Sequence, residues 1–445
     1  MSENRKKVVV AMSGGVDSSV AAALLLRQGY DVMGVFMRLG TPDGVESHDS
    51  SACDTSSGKS KQGCCSVLDA ADAHSVAGVL GIPLYVLNFQ DDFGRVIDYF
   101  VSEYNLGRTP NPCVRCNDWL KFGKLAKYAE AVGADYVASG HYARIGIDPV
   151  TGEKALLRGK DHRKDQSYVL FGMNHKTIEH TLLPIGEFEK HEVRALAQEM
   201  KLPVYNKPDS QEICFVPNQD YAGLVKRRTP EMFHEGNVVD TSGKVVGTHE
   251  GHQHFTIGQR KGVGVAFGYP VYVVDIDPAE NRVTLGSREE LLKSGLIANQ
   301  INVISSRLKR PQCPPPSPGT PGEGRGEGSE KDEGGRMKDE TGHPTSSFGL
   351  HPSSFPSGPN PLPEYRERGQ EEYRARGLEE NAALRCQAKI RYNHQPQPAR
   401  AWVSGEDQIT VHFDEPQPAI TPGQAVVLYD GDVVLGGGWI DRAVA

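Results

Sequence analysis

No apolar run in the 445 residues approaches the ~20 needed to span a bilayer. The opening Met1-Ser2-Glu3-Asn4-Arg5-Lys6 has no apolar signal core. Both absences lead us to expect a cytoplasmic protein with no membrane partner. Cysteine is scarce, 8 in so long a chain, which argues against a disulfide-built scaffold and for reduced, chemically used thiols. Basic charge is not in excess: 57 acidic residues oppose 49 basic ones, for a formal net charge of −8. That argues against a generally basic nucleic-acid binder, so any RNA contact has to use local basic patches. The first glycine-rich loop lacks two familiar signatures. No Gly-Lys-Ser/Thr closes it as a Walker loop, and it lacks the spacing of a dinucleotide Gly-x-Gly-x-x-Gly.

That loop is Ser13-Gly14-Gly15-Val16-Asp17-Ser18-Ser19, and the chain is organised around it. The apolar run Lys7 to Met12 before it reads as a buried parallel strand. Val20 to Gln28 after it reads as a helix ending near Gly29. A Gly-Gly turn between a strand and a helix N-terminus offers backbone N–H groups and a dipole to an anion, with no Cβ in the way. Ser13, Ser18 and Ser19 are expected to add hydroxyl donors. Asp17 has the wrong sign for phosphate, so its expected task is to hold Mg²⁺ or cap the helix. A plain structural corner is the bland reading of the same string.

Along the chain, strands at 31–37, 82–89 and 135–138 alternate with helices at 67–80, 91–103, 119–132 and 190–200. Alternation of this kind predicts a doubly wound parallel sheet with ligands at the carboxyl ends of its strands. Ser13–Ser19, Met37, the Pro-rich loop Thr109-Pro110-Asn111-Pro112-Cys113-Val114-Arg115-Cys116-Asn117 and Ser139-Gly140-His141-Tyr142-Ala143-Arg144 are all expected to follow strands and to share one site. Residues 40–63 read as a loop, and adjacent Cys64 and Cys65 as small helix-start residues. From about Asn218 short strands and Gly turns take over, including the basic, Gly-flanked loop from His252 to Gly262. Residues 311–384 are rich in Pro, Gly, Ser and charge, with 13 acidic against 8 basic residues. Apart from a fraying charged helix at 364–380, they are expected to be disordered. Strand patterns then resume. The expected domains are 1–217, a small central β-rich domain at 218–295, and a β-barrel at 296–445 interrupted by that insertion.

Cys113, Cys116 and Cys214 form a second constellation. A Cys-x-x-Cys loop serves as a redox pair, half a zinc site, or a nucleophile with a neighbour. A thiolate beside an adenylating loop suggests sulfur transfer: ATP turns a carbonyl oxygen into a leaving group and a cysteine persulfide delivers sulfur to the carbon. Arg115 is adjacent and is expected to favour the Cys116 thiolate.

Taken in order, SGGVDSS, GCCS, NPCVRCN, SGHYAR, KDQSYVLF, SQEICF and GQRKG resemble the bacterial tRNA-uridine 2-sulfurtransferases, the tRNA-specific 2-thiouridylases of the ATP-pyrophosphatase (PP-loop) superfamily. The resemblance spans roughly 7–310 and 385–445. It implies an α/β adenine-nucleotide-α-hydrolase-like domain, a small central domain and a C-terminal β-barrel. It implies ATP and Mg²⁺ as cofactors, and tRNA and a persulfide-donor protein as partners. Cys116 would carry the sulfur and Cys214 would assist its release. Ala11, Met12, Ser13, Gly14, Gly15, Val16, Asp17, Ser18, Met37 and Gly140 would bind ATP. Asn111, Pro112 and Cys113 would face the target base. His141, beside the nucleotide, would join Lys164, Asp165, Gln166, Arg391, Tyr392 and Gln424 on the tRNA side. The chain departs from the family at Cys113, where many members have Asp; the three cysteines then resemble the set that holds an iron–sulfur cluster in related thiolases. The competing readings are a PP-loop amidotransferase or ligase acting on a small molecule, and a non-enzymatic RNA- or nucleotide-binding scaffold.

Overall fold

Three consecutive valines set the centre of the fold. In strand β1 (Lys7–Ala11), Val8 and Val10 point to one side of the sheet and Val9 and Ala11 to the other. All are buried, as a parallel strand covered on both faces requires. β1 pairs in parallel with β2 (Asp31–Arg38) and β4 (Tyr136–Ser139). With β3 (Leu84–Asn88) and β7 (Thr181–Leu182) outside them, the order is β3-β2-β1-β4-β7. The order reverses between β1 and β4, so the loops leaving these two strands open one crevice at the sheet's carboxyl edge. The computed structural model describes residues 5–40, 67–209, 213–216, 219–265, 267–308 and 383–445. Cys64 and Cys65, Ser210 to Glu212 of SQEICF, the helix expected at 364–380 and all but the last two residues of the expected insertion lie outside them.

Helices α1 (Val16–Arg27), α2 (Val67–Leu80) and α7 (Lys190–Glu199) pack on the Val8/Val10 face. The amphipathic α3 (Gln90–Asn105) and α5 (Leu125–Ala131) cover the other face. The short α4 (Pro112–Arg115) and α6 (His175–Glu179) complete this layer. α1 begins at Val16 rather than Val20, so the second half of the glycine loop is already helical.

After α8 (Tyr221–Arg228), a four-stranded sheet of β8 (Gly236–Asp240), β9 (Val245–His249), β10 (Tyr272–Asp277) and β11 (Arg282–Gly286) closes over Val238, Val273, Val283 and Leu285. The final strands are β12 (Leu292–Val303), β13 (Leu384–Lys389), β14 (Gln397–Gly405), β15 (Gln408–Pro418), β16 (Ala425–Asp430) and β17 (Val433–Val444). They run β12-β15-β14-β13-β16-β17, and β17 pairs back to β12, which shuts the barrel. One feature departs from the sequence expectation. The hairpin of β5 (Ala143–Ile147) and β6 (Lys154–Arg158), directly after SGHYAR, leaves the parallel sheet and pairs with β17. One apolar cluster runs from Val9 and Phe100 through Tyr168 and Phe171 into Tyr429, Val434 and Trp439 of the barrel. No helix among the described residues is long and apolar enough to cross a membrane.

Candidate active site

The turn after β1 depends on glycine. Gly14 has φ +70°, and a methyl there would run into the Asp69 carbonyl oxygen of α2. A Cβ on Gly140, at the end of β4, would stand 2.5 Å from the carbonyl carbon of Asp17 and from the Ser18 nitrogen. The two loops at the switch point are therefore in backbone contact. Gly15 is the N-cap of α1 and offers no side chain to its first-turn amides. Those N–H groups, with no Cβ at Gly15 in the way and Gly14 seated against Asp69, make a cradle that fits a polyphosphate.

The serines and Asp17 do not act as expected. The hydroxyls of Ser18 and Ser19 turn inward and donate to the Gly15 carbonyl, at 3.2 and 2.7 Å. Ser18 Oγ also accepts from the Ser13 amide. They brace the loop, and only Ser13 is exposed. Asp17 accepts from Lys190 Nζ at both oxygens, 2.8 and 2.9 Å, and from the Tyr142 hydroxyl at 2.8 Å. It caps nothing, and with a cation already on both oxygens it does not fit Mg²⁺. Lys190, 13% exposed, also pairs with Asp209 at 2.8 Å. Asp209 receives Lys164 at 3.0 Å and Arg194 at 2.8 Å as well. Burial alone would raise its carboxyl; hydrogen bonds from Lys190 and Lys164 outweigh this and pull it down to about 2. Lys207 ties the loop from the other side, donating to the Gly14 carbonyl, Asp69 and Asp72 at 3.0, 2.7 and 2.5 Å.

His141 is 7% exposed. Its Nδ1 lies 2.7 Å from Ser139 Oγ and its Nε2 3.5 Å from Lys121 Nζ. Burial, then the Lys121 charge, holds the imidazole well below its ordinary range, so it is neutral at physiological pH. A lysine donating to Nε2 leaves Nδ1–H for Ser139.

The cysteine motif is helical and follows α3, not a strand. The side chain of Asn111 caps α4 by accepting from the Val114 amide, and Pro112 takes the first position. At Cys116 the winding widens into a π-helix, Cys116–Lys124, a form concentrated at functional sites. Glycine at 123 permits it, since a Cβ would lie 2.7 Å from the Asp118 carbonyl. Lys121 Nζ meets His141 Nε2 and the Phe122 ring packs on that of His141 at 6.0 Å, so the π-helical segment that begins at Cys116 reaches the Gly140–His141 turn. Cys113 is exposed; Cys116 and Cys214 are half-buried. Phe215, beside Cys214, stands edge-on to Phe93 and Phe100 of α3 at 5.5 and 5.2 Å, and α3 also packs on the Cys116 helix. Both cysteines are thus anchored to α3. Among the described residues, no three His, Cys, Asp or Glu side chains converge as metal ligands, so Cys113, Cys116 and Cys214 are not arranged as a cluster site. Arg115 turns its guanidinium away into an aromatic box of Trp439, Tyr99 and Trp119.

Of the residues expected to touch tRNA, Asp165 is out of reach. It is 4% exposed, and its carboxylate accepts from the Gly159 and Ser167 amides, Ser167 Oγ and Arg158 Nε. Gln166 is paired with the Tyr142 backbone, and Lys164 is half-exposed over Asp209. Gln424 donates to the Thr109 and Pro110 carbonyls, both at 3.1 Å, holding the segment before the cysteines. Arg391 donates to the Pro418 carbonyl. Tyr392 stands edge-on to Tyr168 with Lys389 Nζ 5.6 Å from both rings. Met37 is half-buried in β2, while Ala11, Met12 and Val16 are buried. Lys121, Lys190, Lys207 and Asp209 were missed by sequence reasoning. The one signal was that Asp17, in an anion-binding loop, had to be neutralised by some cation.

Residues 6–218, 223–287 and 372–440 match families described as the tRNA methyl transferase HUP domain, the tRNA methyl transferase PRC-barrel domain and the aminomethyltransferase beta-barrel domain. The chain is 42% identical over 441 residues to the tRNA-specific 2-thiouridylase MnmA of Clostridioides difficile, covering 99% of each chain. It is 43% identical over 439 residues to that of Carboxydothermus hydrogenoformans, covering 98% of each. Among solved structures, a 4-thiouridine synthetase–RNA complex with bound ATP aligns over 51% of each chain at 16% identity, with a TM-score of 0.30, a likeness too slight to bear on function.

Proposed function

The chain belongs to the tRNA-specific 2-thiouridylase family, and on that premise we propose that it replaces the C2 oxygen of the wobble uridine of tRNA by sulfur in an ATP-dependent reaction in the cytoplasm. One observation carries this reading. The phosphate cradle, the Gly140–His141 turn and the helix that begins at Cys116 meet at the β1/β4 switch point, linked by Gly140 against Asp17 and by His141 against Lys121. A phosphate cradle and a firmly held cysteine serve carbonyl activation followed by sulfur delivery. Neither is needed to pass on a methyl group, which the descriptions of two matched families name.

ATP is held by the first-turn amides of α1, with Gly15 leaving room for it, Gly14 and Gly140 letting the backbones around the loop close up, and Ala11, Met12 and Met37 beside the crevice. Lys190 and Lys207 set the loop's charge. The uridine C2 oxygen attacks the α-phosphorus and pyrophosphate departs. The outer sulfur of a persulfide on Cys116, supplied by a donor protein, then attacks C2, and AMP leaves with the oxygen. The Cys214 thiolate attacks Cys116 Sγ and breaks the S–S bond, which frees the thiocarbonyl and leaves a disulfide for a cellular thiol to reduce. Asn111, Pro112 and Cys113, at the start of the cysteine helix, face the base; Lys164, Gln166, Arg391 and Tyr392 face the tRNA. The test is formation of 2-thiouridine in unmodified tRNA with ATP and a persulfide donor. Pyrophosphate release that depends on a small-molecule acceptor, with no thiouridine formed, would favour an amidotransferase or ligase instead.

A further inference from the structure

The segment that leads into Cys116 is held by the barrel. Thr109 donates its amide to the Pro422 carbonyl at 2.9 Å, and Gln424 returns two hydrogen bonds to the carbonyls of Thr109 and Pro110. Arg108 donates to the Ile440 carbonyl at 3.2 Å. The last residue before Cys116 makes the most specific of these contacts. The Arg115 guanidinium lies 4.0 Å from the Trp439 ring centroid, 5.1 Å from that of Tyr99 and 5.2 Å from that of Trp119. Tyr99 stands edge-on to both indoles, at 6.0 and 5.8 Å, so the three rings form walls around the cation. Arg115 Nη2 donates to Gln300 Oε1 of β12 at 2.7 Å, while its Nε is buried with no hydrogen-bond partner among the described residues. This half-buried guanidinium is held by ring faces and an amide oxygen, with the Asp118 carboxylate near enough to feel its charge, an arrangement that favours placement.

We propose that Arg115 is a positioning residue that fixes the Cys116 helix onto the barrel, with Trp439 and Gln300 as its receiving site. The inference rests on the sulfur-transfer reading given above. One neighbour comes from α3, one from the cysteine helix and two from the barrel, so loss of Arg115 removes the barrel contact nearest Cys116 while those of Arg108, Thr109 and Gln424 remain. Cation–π contacts at such a half-buried site correspond to about a fivefold to tenfold effect in total.

The test uses the full-length protein and a probe independent of turnover, iodoacetamide, with Cys116 modification followed by mass spectrometry. In Arg115→Met and Trp439→Leu we expect Cys116 to be modified about tenfold faster, while the buried barrel residue Cys386 keeps its rate. Arg115→Lys, which keeps the charge among the rings but loses the fork to Gln300, restores part of the wild-type rate. The double variant is no faster than either single one. Gln300→Ala, at an exposed position, gives a smaller increase in the same direction and secures the test should a core variant fail to fold. In tRNA assays the sulfur-transfer kcat falls about tenfold more than pyrophosphate release. Unaltered Cys116 modification in folded Arg115→Met and Gln300→Ala overturns the latch. Wild-type protein that forms no thiouridine overturns the functional reading and leaves the modification result standing.

Discussion

Lys207 donates to the carbonyl oxygen of Gly14 across 3.0 Å while it is paired with Asp69 and Asp72. A cation from a segment almost two hundred residues downstream thus holds the peptide that gives the phosphate loop its turn. Lys207→Met should raise the ATP KM about tenfold, since a charged hydrogen bond contributes about 1.5–3 kcal/mol. Gly14→Ala should cut pyrophosphate release about 10- to 100-fold, because the left-handed backbone and the Asp69 carbonyl both oppose a methyl group. Pyrophosphate release against ATP concentration measures both, and wild-type kinetics in either variant would remove the loop from the reaction.

Cys116→Ser should keep ATP-dependent pyrophosphate release but lose thiolation entirely, since a hydroxyl forms no persulfide. Cys214→Ser should accept sulfur on Cys116 and then stall. Mass spectrometry after incubation with a persulfide donor locates the extra sulfur. Its absence from Cys116 in both the wild type and Cys214→Ser would refute the assignment.

Asp209 should make stability depend on pH. Its folded carboxyl titrates at about 2, below its ordinary 3.8, so its contribution is present above about pH 4 and is lost as pH falls toward 2. The shift corresponds to about 2 kcal/mol. Denaturant unfolding of Asp209→Asn should show that deficit near neutrality, with the curves converging in acid. A deficit that persists unchanged at the lowest pH would mean that the carboxylate's ion pairs do not supply it.

Asp165→Ala should lower the unfolding free energy by about 3 kcal/mol, because it strands the buried Arg158 guanidinium and two amides. The tRNA KM should stay within about twofold. The opposite pattern, full stability with weakened tRNA affinity, would return Asp165 to the RNA-facing set.

The sequence made legible those features that rest on repetition or on an ordered motif. Val8, Val9 and Val10 announce a strand buried on both faces, and the short strands after Asn237 announce β structure. What escaped depends on single residues or on small differences in winding. Nothing periodic marks Lys190 or Lys207, each of which matters only through acceptors distant in sequence. The π-turn at Cys116 differs from an α-turn by one step of hydrogen-bond register, and Gly123 alone is a faint sign of it. The resemblance puts Asp165 on the tRNA side, yet it is buried, with the Gly159 and Ser167 amides donating to its carboxylate. Asp17 was read by its charge alone, and its function as an acceptor for Lys190 and Tyr142 appears only when α7 and β4 are brought together.

The β5–β6 hairpin follows SGHYAR directly, yet Leu157 pairs with Val433 and Arg144 is bonded to Asp432 at 2.5 Å. During synthesis on a ribosome, this hairpin therefore emerges long before the strand that completes its sheet. The hairpin thus gains its barrel neighbour only once the last strand has been made. A fragment truncated before β17 would leave β6 without this partner, so expression of the N-terminal region alone should give an aggregation-prone product. For the same reason, the catalytic layer and the barrel would have to be exchanged between homologues together, as one unit of inheritance.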